Sequence, residues 1–125
     1  MNPVLRHHNR AMQYVDEAES LRRSNGESRR SSKRNDAIAM GYRSALDEEE
    51  KALEAARKHG AGVKTLSVLY RSAAWLAVKC KNLAKAREMI ELGLSVNPPA
   101  SVKVELEKLS AVVNEDRITK QGPLL

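Results

Sequence analysis

Few residues in this chain have the type and spacing for covalent or metal chemistry. They are the acid run Asp47-Glu48-Glu49-Glu50, the histidines His7, His8 and His59, and the thiol Cys80. A metal site on a helix needs ligands three or four positions apart, whereas consecutive residues point around the axis. No histidine stands at that distance from the acid run, so the run reads as a solvated face that pairs weakly with nearby cations. The histidines have no companions at zinc spacing. Cys80 falls beside Leu76 on an apolar stripe, which suits an inert core thiol better than an activated nucleophile. G-x-S-x-G, G-x-x-x-x-G-K-[ST] and H-E-x-x-H are all absent. The expectation is a non-enzyme with no catalytic residue, metal or other cofactor.

Binding is better supplied. At about 100° per residue, a third helix with Leu66, Leu69, Ala73 and Cys80 turned inward carries Trp75 on its other side, beside Lys64, Val68, Arg71 and Lys79. An aromatic ring flanked by cations can grip an apolar anchor next to a carboxylate. The competing reading is that the first helix, or the back of the second, covers Trp75. A second candidate is the stretch RRSNGESRRSSKR, in which Arg22, Arg23, Arg29, Arg30, Lys33 and Arg34 stand against Glu27 alone. Its charge would serve non-specific phosphate contact with RNA or DNA. It lacks interleaved aromatics and any helix-turn-helix or RRM signature, and its composition equally describes a solubilising loop. Arg29-Arg30-Ser31-Ser32 would also suit a basophilic kinase.

The elements that position these groups follow from composition and periodicity. A chain of 125 residues, 42% hydrophobic and 30% charged, suits one domain, here 1–118. Aromatics make up 3% and Phe is missing, so Ala and Leu must build the core and the class is all-α. Helices are expected over 3–23, 35–59, 63–81, 83–96 and 100–114. A basic loop spans 24–34 and an irregular tail 119–125. Leu5, Met12, Val15, Ala18 and Leu21 form a sparse stripe on the first helix. Ile38, Tyr42, Ala45, Leu46, Ala52, Leu53 and Ala56 form a fuller one on the second, which Asn35 or Asp36 caps. Gly60-Ala61-Gly62, Lys81-Asn82 and Asn97-Pro98-Pro99 separate the later helices. Val102, Leu106, Leu109 and Val113 share a face of the last. No run of about 18 apolar residues or signal-like start occurs, and Cys80 has no internal disulfide partner, so a cytoplasmic protein off the membrane is expected.

Helix pairs joined by tight turns call for a repeat check. From Ser67 to Ala100 the chain resembles a tetratricopeptide (TPR) unit. Tyr70 falls on that family's first aromatic position and Ala73-Ala74 on its Leu-Gly pair. Ala86, Ile90, Gly93 and Pro98 fall on the conserved positions of its second helix and terminating proline. Ala77 and Ile90 depart from the pattern, each standing where the family carries an aromatic. Ile38, Tyr42 and Ala45 overlay a more degenerate unit. The resemblance implies antiparallel hairpins stacked as a short right-handed array of about five helices, ending in a capping helix. It also implies a concave groove in which Val68, Arg71, Trp75 and Lys79 contact a partner protein; Lys64 lies beside them by helical spacing, and the charges of Arg71 and Lys79 would suit an acidic or C-terminal partner segment. A nucleic-acid-associated regulator using the basic segment, and a self-associating scaffold, are the alternatives.

Overall fold

A computed structural model of the chain describes residues 2–23 and 32–121. It contains five α-helices among these residues, α1 (Pro3–Arg23), α2 (Ser32–Lys58), α3 (Val63–Lys79), α4 (Leu83–Ser95) and α5 (Ala100–Gln121), and no strand. Each helix packs on the next in sequence, and α5 also packs on α3. The all-α class expected from composition is therefore present, and the packing of successive helices is consistent with the expected hairpins.

Two turns are built alike. After α2, Gly60 adopts φ +66°, with its N–H donating to the Arg57 carbonyl and the Ala61 N–H donating to the Ala56 carbonyl. After α3, Lys81 takes φ 65° at the equivalent place, its N–H reaching Val78 O at 3.1 Å while the Asn82 N–H reaches Ala77 O at 2.8 Å. Both are paired closures of a helix end through a left-handed residue. Asn82 then caps α4, its side chain accepting from the Lys85 N–H at 3.1 Å. Beyond α4, Asn97 is left-handed at φ 60° and the two prolines follow before α5.

Two boundaries differ from expectation. Helix α2 starts at Ser32, not at Asn35 or Asp36, so Lys33 and Arg34 belong to a helix and not to the basic loop. Lys and Arg are good helix formers and no breaker separates Ser32 from Asn35. The rest of that loop, 24–31, lies outside the described residues. Helix α5 continues from the expected end at 114 to Gln121, taking in part of the expected tail, because the first breakers after Ala100 are Gly122-Pro123. The remainder of the tail, 122–125, also lies outside the described residues.

The core runs between α2, α3, α4 and α5 and is rich in alanine, with Tyr42, Tyr70, Leu53, Leu76, Ile90, Leu106 and Val113 as its larger members. Small side chains let backbones approach, and Gly93 shows how closely. A Cβ there would stand 2.9 Å from Leu106 Cδ1 and 3.1 Å from Tyr70 Cβ. Helix α1 contributes less: its fully buried residues are Ala11 and Ala18, while Leu5 and Leu21, expected on its stripe, are exposed. Cys80 is also only half-buried, since it occupies the C-cap of α3 and not the helix body.

Candidate partner-binding groove

Helices α1 and α3 both flank α2 and face each other across two clefts. The larger, 570 Å³, is lined by Met12 and Val15 of α1, Arg71, Ser72 and Trp75 of α3, and Glu105, Lys108, Leu109 and Val112 of α5. The second, 410 Å³, lies between Asn2 and the α1 residues Val4, Leu5 and His8 on one side and Lys64, Thr65, Val68 and Leu69 of α3 on the other. Four of the five candidates on α3 line these clefts, Lys64 and Val68 one and Arg71 and Trp75 the other. The Lys79 ammonium sits 5.3 Å from the Trp75 ring centroid and 5.9 Å from that of Tyr42.

Trp75 is neither bare nor sealed. Its ring meets Tyr42 of α2 edge-on at 5.9 Å and 84°, and its remaining surface opens into the larger cleft. Helix α2 thus covers one side of the ring, while α1 stands across the cleft from the other. Arg71 is already engaged, its guanidinium 3.3 Å from the Glu105 carboxylate of α5. The pair is partly exposed, so a partner's carboxylate can compete for Arg71 at small cost. Periodicity along α3 located these residues. The opposing wall from α1 and the side wall from α5 came only with the tertiary arrangement.

The largest correction concerns the acid run. Glu48 and Glu49 are buried, 6% and 0% exposed, and do not form a solvated face. Each meets a histidine of α1, so the pair His7-His8 has partners after all, though not for a metal. His7 Nδ1 donates to Glu48 at 2.8 Å, and His8 Nδ1 lies 3.0 Å from both Glu49 oxygens. On the other side of Glu49, the Ser72 hydroxyl of α3 donates to its Oε2. Glu49 of α2 thus ties together the two walls of the groove. The carboxylate lies between hydroxyl and imidazole, whereas activating a serine requires the imidazole in the middle, so this arrangement anchors Ser72. Among the described residues, no group of three or more His, Cys, Asp or Glu side chains is placed to hold a metal ion.

These contacts set the titration of the site. The Glu49 hydrogen bond raises His8 above its ordinary value, against the opposing pull of burial, and the Glu49 charge adds to the rise. Burial pushes Glu48 upward, yet the His7 hydrogen bond and the charges of Lys51, His7 and Arg10 together leave it below the ordinary carboxylate range. Burial, followed by the Glu19 carboxylate, pushes the Tyr42 hydroxyl up.

Of the basic segment, Arg22 and Arg23 end α1 and are exposed, with Arg22 3.2 Å from Glu19. Lys33 and Arg34 lie in the first turn of α2, and Arg29 and Arg30 lie outside the described residues. No described helix is long and apolar enough to cross a membrane. No protein-family model, curated protein or solved structure matches the chain.

Proposed function

We propose that this chain is a non-enzymatic protein-binding module, an adaptor or regulatory subunit, that receives a peptide or helix of a partner in the groove between α1, α3 and α5. The observation that carries the reading is the 570 Å³ cleft, apolar at Met12, Val15, Trp75, Leu109 and Val112 and edged by Arg71 and Lys108. Concave apolar surfaces with a few oriented polar groups are where ligands bind, and Trp and Arg are the residue types that concentrate binding energy. The resemblance of residues 67–100 to a TPR unit supports the same reading, since it assigns the inner face to α3. A cytoplasmic setting fits the single unpaired Cys80.

The test is affinity capture from the native source with wild type, Arg71→Glu plus Trp75→Ala, and Lys108→Glu. Selective loss of the same partner from both variants supports the groove, and identical partner sets reject it. A second reading, phosphate contact by the basic segment, draws on the convergence of Arg22 and Arg23 with Lys33 and Arg34 at one end of the α1–α2 hairpin. Replacing Arg29, Arg30, Lys33 and Arg34 with Ser separates the two, because it would abolish RNA or DNA retention and leave protein capture intact.

A further inference from the structure

The two clefts have a spacing that discriminates among occupants. Along α3, Val68 marks the second cleft and Trp75 the first; along α1, Leu5 and Met12 mark them in the same order. Both pairs are seven residues apart, which at about 1.5 Å per residue separates the clefts by about 10.5 Å along the groove. The bridge between them is polar, formed by His8 and Ser72 above the buried Glu49. An occupant must therefore present two apolar groups on one side, about 10.5 Å apart, with something smaller or polar between.

An α-helix does this with residues i and i+7, two turns apart and nearly in line. An extended peptide does not. Its same-side residues recur at about 6.6 Å and 13.2 Å, and the residue nearest 10 Å points away.

Charge selects further. Lys64 stands at the second cleft and Lys108 at the first, with Lys79 behind Trp75, while Arg71 is matched by Glu105, the one carboxylate among the described cleft-lining residues. The unmatched charge is positive. We propose that the groove takes an acidic amphipathic helix of another protein, seating apolar side chains at i and i+7 in the Leu5–Val68 and Met12–Trp75 clefts. This rests on the groove being a docking site and adds the conformation, register and charge of what docks.

Three synthetic acidic peptides of about 18 residues, long enough to hold helical structure when stapled, test it on the full chain. One is helical with Leu at i and i+7, one helical with Leu at i and i+5, and one extended through proline substitution with the same Leu pair. Binding is read by Trp75 fluorescence and calorimetry. The i, i+7 helix is expected to bind at least about tenfold more tightly than the i, i+5 isomer, the difference one poorly seated Leu makes. It should weaken by about tenfold on Lys64→Glu plus Lys108→Glu, two exposed changes that leave the core alone.

Tighter binding of the extended peptide at Trp75 would overturn the helix and leave groove docking standing. Equal affinity for the two helices would overturn the register, and indifference to the charge reversal would overturn the acidic partner. If no peptide binds or shifts Trp75, both the inference and the docking reading fall. They fall equally if sedimentation shows a dimer that buries Trp75, since the occupant is then a second copy.

Discussion

Removing the His8 imidazole tests the buried carboxylate most directly. Glu49 is 0% exposed and holds His8 on one side and Ser72 on the other. In His8→Ala the carboxylate keeps only the Ser72 hydroxyl among these partners, and an uncompensated buried charge costs about 3–5 kcal/mol. The His8 side chain is 31% exposed, so water reaches part of the vacated site and the expected loss drops to about 2–3 kcal/mol. The reverse change is milder. In Glu49→Gln the amide keeps the volume, its oxygen accepts from His8 and its nitrogen faces the Ser72 oxygen, so the loss is about 1 kcal/mol, the charge-assisted part of the bonds. The double variant should cost no more than His8→Ala alone, because the charge that made that change expensive is gone. Urea unfolding at pH 7, with slopes compared to confirm an unchanged unfolding reaction, measures all three. A loss below about 0.5 kcal/mol for His8→Ala would refute the reasoning, as would a greater loss for Glu49→Gln.

Other expectations are as specific. Because His8 is raised in the folded chain, its stabilisation is complete below about pH 6.5 and fades as pH climbs through the folded value; Glu48, lowered, stabilises above about pH 4.5 and fails as pH falls through its folded value. Melting temperature should therefore be highest between those limits, and His8→Ala should remove the decline on the alkaline side. Gly93→Ala should destabilise by about 1–3 kcal/mol in thermal or urea unfolding, since Tyr70 Cβ, fixed to its backbone, leaves no room for a methyl group. Lys81→Gly should stabilise by about 0.5–1 kcal/mol by relieving a left-handed lysine, readable as a rise in melting temperature.

Helices α3 and α4 were legible almost to the residue, because strong apolar spacing coincides with Lys81-Asn82 and the Asn97-Pro98-Pro99 stop. The stripes of α2 and α5 were legible too: Tyr42, Ala45, Leu53, Val102, Leu106 and Val113 are all buried. What sequence could not disclose was polar burial. Charged residues are rarely interior unless paired, and the partners of Glu48 and Glu49 stand 41 positions away on another helix, out of reach of any local spacing rule. The two adjacent histidines were the available signal, since a short polar repeat on α1 matches a short acidic one on α2. Leu5 and Leu21 misled in the opposite sense, because α1 buries only its alanines fully, half-buries Val4, Met12, Tyr14 and Val15, and leaves those two leucines outside.

That alanine seam has a consequence for motion. Helix α1 packs extensively on α2 alone, through two fully buried alanines, partly buried Val4, Met12, Tyr14 and Val15, and hydrogen bonds to the α2 carboxylates, while α3 is surrounded by α2, α4 and α5. Detaching α1 breaks its one extensive interface, with α2, and leaves the packing of α2 to α5 in place, so the amides of α1 should exchange with solvent through a partial opening of lower free energy than global unfolding, ahead of those in α3 and α4. The chain is then a four-helix body with a hinged outer arm, and the arm is the wall of the groove that meets Trp75 across the cleft.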